Sequence, residues 1–210
     1  MKTIYLVRHG ESVGNAEGVF KDPQAELIEL GHKQAEVLAK RCVPLKIERV
    51  IASPNKRAVQ TAEYISKACN VSLDLHDSFA AIKYASKMQG KSKLGKEADE
   101  YTEILKQMYA KNPEERYEDA ENFNDLIKRF QVGFDFLALQ PEEALLVVTH
   151  QSILKSLVVH ALLEGRQTIE QHVSTKKTLA DLDHNGITEI KFSRGRWQLV
   201  TWNDRSFFAE

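Results

Sequence analysis

The sequence predicts an α/β fold with a largely parallel sheet. Two observations carry this. Short apolar, β-prone runs alternate with stretches of helical periodicity along most of the 210 residues, the pattern of strands joined by crossover helices. Three of those runs are each followed by a polar cluster and then a helix, and in a parallel sheet such junctions gather on the carboxyl edge where ligands bind. The length suits one domain, expected over residues 1–210, with a lysine-rich insertion and helix at about 83–111.

Taken in order, TIYLV (3–7) is a short, mostly apolar run and reads as a buried strand. ELGHKQAEVLAKRC (29–42) sets Leu30, Ala35, Leu38 and Ala39 at helical spacing. IERVIAS (47–53) is a second buried strand, and after Pro54 the stretch NKRAVQTAEYISKAC (55–69) is helical. VSLDL (71–75) alternates as a third strand would. The lysine-rich KYASKMQGKSKLGKEADEY has little apolar periodicity and reads as an exposed insertion leading into a helix from about Glu97 to Lys111. EDAENFNDLIKRFQVGFDFLA (118–138) reads as a longer amphipathic helix. LLVVT (145–149) is a continuous apolar strand, followed by the helical QSILKSLVVHALL (151–163). From Thr178 onward, the turn signals HNG and SRGR separate alternating segments, the mark of an antiparallel meander. The aromatic tail RSFFAE (205–210) is expected to pack on the core or on another chain.

Composition excludes some partners. With 29 basic and 30 acidic residues the formal net charge is -1, so no bulk electrostatic attraction to nucleic acid or anionic membranes is expected. Any phosphate attraction must be local. The opening MKTIYLVRHGES is too short in its apolar run to read as a secretion signal, and no stretch approaches a bilayer span. Cys42 and Cys69 are therefore expected as free thiols in a cytoplasmic protein.

The three strand-to-helix junctions read YLV-RHGESVGN, VIA-SPNKRAVQTA and LVV-THQSILKS. They would bring Arg8, His9, Ser12, Asn15, Arg57 and His150 to one edge. Guanidinium forks bind phosphate oxygens bidentately, and helix N-termini add N–H donors. Neutral imidazole is a nucleophile near pH 7 and can accept a phosphoryl group. Taken singly, each residue has an ordinary reading as a surface histidine, a solvated helix arginine or a cap neighbour. Their coincidence at three junctions favours an anion pocket. A zinc site is disfavoured because arginines repel the cation.

These motifs resemble the histidine phosphatase superfamily, the phosphoglycerate-mutase-like group. The matching stretches are RHGES with Asn15, LGHKQA (30–35), SPNKRAVQTA (53–62), ENFNDLIKR (121–129) and VVTHQS (147–152), in family order over most of the chain. The resemblance implies a three-layer α/β/α sandwich and a phosphohistidine mechanism with no cofactor and no metal. His9 would be the nucleophile. Arg8, Arg57 and His150 would bind the phosphate, with Asn15 and Ser12 adding hydrogen bonds. Glu121, Asp125 and Arg129 would play a supporting structural role.

Ala120 and Asn122 replace the Gly and Ser of the family's segment around Glu121, and two other departures from the pattern matter more. Gln151 stands where the family usually has glycine, and would narrow the pocket or add a hydrogen bond. More seriously, aligning HDSFAAIKYASKMQGKSK on its closing GKS puts Ala81 where the family carries its proton-donating glutamate; a mutase-like alignment puts Ile82 there. Neither side chain can give a proton. An introduced Glu-to-Ala change, a natural variant using Asp77, another acid or water, and a catalytically impaired binder all account for this. The leading expectation is a phosphatase acting on a small phosphorylated substrate through phospho-His9. The alternatives are a mutase-type phosphoryl transferase and a phosphate-binding protein.

Overall fold

The computed structural model of the chain describes residues 1–20 and 22–206. Its strands are β1 (Lys2–Arg8), β2 (Arg49–Ala52), β3 (Leu73–Leu75), β4 (Ala144–Thr149), β5 (Ile187–Ser193) and β6 (Arg196–Asp204). Its helices are α1 (Val13–Ala16), α2 (Glu29–Cys42), α3 (Lys56–Cys69), α4 (Lys96–Lys111), α5 (Phe123–Leu139), α6 (Gln151–Leu162) and α7 (Ile169–Thr178). The strands form one sheet in the order β3-β2-β4-β1-β5-β6. The first four run parallel. β5 joins β1 antiparallel, and β6 joins β5 antiparallel at the edge.

The continuous apolar runs exist because both faces of the sheet are covered. Successive side chains point to opposite faces. Ile4, Leu6, Ile51, Leu145 and Val147 pack under α5 and α6 with Phe130, Phe134 and Ile153. Val7, Val50, Ala52, Leu146 and Val148 pack under α2 and α3 with Leu38, Ala62 and Ile65. Each such large side chain contributes roughly 1.5–3 kcal/mol when removed from water. The result is three layers, α2 and α3 on one face of the sheet, α5 and α6 on the other.

Several local expectations change. Leu30 is not a core residue of α2; it is 51% exposed. The buried stripe is Gly31, Ala35, Leu38, Ala39 and Cys42. Gly31 sits on the loop after β1, where a Cβ would lie 2.0 Å from the carbonyl oxygen of Glu11, and this contact turns position 30 outward. The helix expected from 118 begins only at Phe123. Asn122 caps it in a reciprocal box with Asp125, so the preceding residues cannot continue the helix.

The C-terminal segment contributes one hairpin, β5 and β6, and not a third alternating strand. Residues 179–183 instead run as an irregular stretch whose Leu182 carbonyl accepts from Arg8 Nη1 at 2.6 Å. The insertion is not wholly exposed either. Lys87 and Lys96 face out, but Ala85, Met88, Ala98 and Tyr101 bury with Phe20 and Ala120 in a small satellite cluster. Helix α7 was not foreseen. The expectation for the aromatic tail falls on 207–210, outside the described residues. Cys42 and Cys69 are free thiols. Among the described residues no helix is long and apolar enough to cross a membrane.

Candidate active site

β1, β2 and β4 end side by side, and the chain leaves each into the same space. The His9 N–H donates to Thr149 O at 3.0 Å, and the Ser53 N–H to Val148 O at 2.9 Å, so the three junctions are stitched together at the sheet edge. They open on a cavity of about 520 Å³. Arg8, His9, Asn15, Arg57, Ala81, His150 and Gln151 all line it.

The hydrogen bonds assign the histidine tautomers. His9 Nδ1 lies 2.6 Å from Gly10 O. A carbonyl only accepts, so Nδ1 carries the proton and Nε2 keeps its lone pair. That Nε2 accepts from Arg57 Nε at 3.2 Å. His184 Nδ1 donates to the His9 carbonyl at 2.8 Å, fixing the backbone behind the ring. His150 Nδ1 accepts from Arg57 Nη2 at 3.2 Å. Its Nε2 lies 2.8 Å from Ser53 Oγ, whose own hydroxyl donates to Asn55 Oδ1 at 2.9 Å. His150 Nε2 therefore donates to Ser53. Asn55 Oδ1 also accepts from the Ala81 N–H at 2.9 Å, tying the wall that carries Ala81 into the same network. His9 and His150 meet edge to face, with ring centroids 5.1 Å apart.

The charges are set in low-dielectric surroundings. Burial pulls the Arg57 guanidinium down to about 10, opposed by the nearby Asp22; at neutral pH it remains protonated. Burial also lowers Arg8, with Asp181 and Asp183 opposing. Arg8 Nε is buried with no hydrogen-bond partner among the described residues. An unpaired buried donor is expensive, so an acceptor brought by a ligand would relieve it.

Not every expected residue reaches the cavity. Ser12 is fully buried and does not line it. Its hydroxyl donates to Asn15 Oδ1 at 2.8 Å, which leaves the Asn15 NH2 group as that side chain's donor. Asp77, the acid named as a substitute donor for position 81, is also absent from the lining. Glu121 and Arg129 form a bidentate pair at 2.7 and 2.8 Å. Arg129 Nη1 also donates to the carbonyls of Ser78 and Ala80, each at 2.9 Å. The pair clamps the backbone leading into Ala81.

Sequence reasoning missed Lys93, Lys155, Lys176, Lys177 and Asp181, which also line the cavity. Lys93 comes from the insertion; desolvation first, then the charges of Arg57 and Arg8, lower it. The sequence Thr168-x-x-Gln171, a reciprocal capping box, was the signal that could have placed α7 and its two lysines. Among the described residues no group of three or more His, Cys, Asp or Glu is arranged to hold a metal ion.

Fold and pocket define an α/β protein with a buried histidine and two arginines on a cationic cavity at the sheet edge. The chain belongs to the histidine phosphatase superfamily, whose branch 1 model matches residues 4–205. A candidate phosphoserine phosphatase from Hydrogenobacter thermophilus is 27% identical over 207 residues, covering 97% of this chain and 96% of its own length. A candidate phosphoglycerate mutase from Erwinia tasmaniensis is 30% identical over 212 residues, covering 100% and 96%. Among solved structures, a phosphoserine phosphatase variant from Entamoeba histolytica, in complex with phosphoserine, aligns with a TM-score of 0.75. It is 21% identical and covers 97% of this chain and 98% of that one, a likeness of fold.

Proposed function

We propose that this protein is a metal-independent phosphatase that hydrolyses a small phosphomonoester through a phosphoryl group carried on His9 Nε2. The observation that carries the reading is the His9 tautomer. Its Nδ1 proton is held by Gly10 O while Nε2, with its lone pair, meets Arg57 at the cavity. In the first step Nε2 attacks phosphorus and the bond to the leaving oxygen breaks, the electron pair departing with that oxygen. Arg8, Arg57 and the Asn15 amide line the cavity as donors for the remaining oxygens, and His150, whose Nδ1 accepts from Arg57, would join them by taking up a proton there; such fixed donors supply most of the catalysis in phosphoryl transfer. Water then attacks the phosphohistidine, releasing inorganic phosphate and restoring His9.

The leaving oxygen must find a proton or depart as an anion. Ala81 and Ile82 line the wall where an acid is expected, and among the described residues Asp181 is the one carboxylate lining the cavity. It is paired with Lys155 at 3.0 Å. The reading therefore favours leaving groups that are stable without protonation. The free thiols Cys42 and Cys69 support the reading of a cytoplasmic protein. A mutase shares the first step and differs in passing the phosphoryl group to a second hydroxyl.

His9→Gln tests the reading. Turnover of an aryl phosphate should fall by at least about 1,000-fold, the scale on which losing a nucleophile acts, while inorganic phosphate still binds. Unchanged turnover in that variant would remove His9 from the mechanism. Phosphate binding with no turnover in either form would identify a binding protein.

A further inference from the structure

The cavity is larger and more cationic than one phosphoryl group requires. Away from His9, its wall is made by the first turns of α6 and the last turns of α7. Ser152 and Lys155 are three residues apart on α6 and so share a face. Lys176 Nζ donates to Ser152 Oγ at 2.8 Å across the two helices. All three side chains line the cavity, with Lys177 beside them. Lys155 is largely withdrawn from water, its side chain 11% exposed, and its partner Asp181 is 81% exposed. Lys176 has no carboxylate partner among the described residues.

Two largely buried ammonium groups in one wall, with one solvated carboxylate paired to Lys155 alone, are held at a cost unless an anion arrives. Lys176 registers that cost: desolvation first, and then the charge of Lys155, pull it down to about 8. The N-terminal turn of α6 adds its own favourable dipole on the same side. From this arrangement we infer that Lys176, Ser152 and Lys155 form a second anion subsite, which takes a carboxylate or phosphoryl group carried on the leaving part of the substrate. The inference rests on the phosphatase reading of His9 and names its substrate class: phosphomonoesters bearing a second negative group.

The test compares matched aryl phosphates whose leaving groups need no proton. The probes are 4-carbamoylphenyl phosphate, 4-carboxyphenyl phosphate and 4-(phosphonomethyl)phenyl phosphate. The unaltered chain should prefer the better of the two anionic probes over the neutral one by about tenfold in kcat/KM, expressed in KM, as charge-assisted contacts would give. Whichever anionic probe leads identifies carboxylate or phosphoryl as the group held. In Lys176→Met the preference should fall to about one, and in Ser152→Ala it should weaken. Should Lys176→Met fail to fold, Lys155→Met carries the same measurement.

A ratio near one in the unaltered chain overturns the subsite. So does a preference that survives the substitutions, or a uniform loss on all three probes. If no probe is turned over, the phosphatase reading fails on its own. Calorimetric binding of the corresponding non-hydrolysable phosphonates then decides the subsite by the same ratios.

Discussion

Replacing Ala81 by glutamate should restore proton donation. The backbone there is already fixed: the Ala81 N–H is held by Asn55 Oδ1 at 2.9 Å, and the Ala80 carbonyl by Arg129 at 2.9 Å. A longer side chain has room to extend into the cavity of about 520 Å³. General acid catalysis typically contributes about 100- to 10,000-fold. The lower end is expected here, because Arg57, Arg8 and Lys93 line the same cavity and favour the ionised carboxylate, which cannot donate. Ala81→Glu should therefore raise kcat/KM on an alkyl phosphate about 100-fold and change it less than about threefold on an aryl phosphate. The alkyl rate should fall as pH rises through the pKa of the new carboxyl. The assay is a paired pH–rate series on both substrates, with thermal melting to confirm the fold. Equal gains on both substrates, or no gain on the alkyl phosphate, would refute the assignment of position 81.

Two further outcomes follow from buried charge. Arg129→Met leaves Glu121, whose side chain is 12% exposed, without its bidentate partner and frees the carbonyls of Ser78 and Ala80. It should cost about 3 kcal/mol of stability by urea unfolding, the scale for breaking a buried pair; a loss below about 1 kcal/mol would mean the clamp is idle. Burial also holds His160 and His172 down at about 4, from an ordinary 6.5. Between those values the unfolded chain binds more protons, so stability is full above about pH 6.5 and drains as pH falls toward 4. The loss is on the order of 3 kcal/mol per histidine at most. His160→Gln or His172→Gln should flatten the slope of urea stability against pH over that window. An unchanged slope would show that neither histidine governs acid unfolding.

The parts of the fold legible in the sequence were those written in local pattern. The amphipathic stripe of 29–42 and the turn signal before 55–69 placed α2 and α3 almost to the residue. The strand, polar cluster and helix at each junction are a local pattern, and it is enough to assemble His9, Arg57 and His150 on one cavity. What escaped depends on other parts of the chain. Leu30 faces out because Gly31 must touch Glu11 O. Ser12 turned out to orient Asn15 instead of reaching the cavity. α7 buries His172 as its one fully enclosed side chain, so it has no apolar stripe to read, and its lysines become pocket residues only through packing on α6. His184 reaches the His9 carbonyl across 175 positions of sequence, a contact no local pattern announces.

The central claim is the phosphoryl group on His9. Mixing the chain with an aryl phosphate labelled in the phosphoryl group, then quenching within milliseconds, tests it directly. The account predicts protein-bound label that is lost in acid, stable in base and located on His9 by peptide mapping. It also predicts no label in His9→Ala. Steady turnover with no bound label at any quench time, or label surviving in His9→Ala, would contradict it.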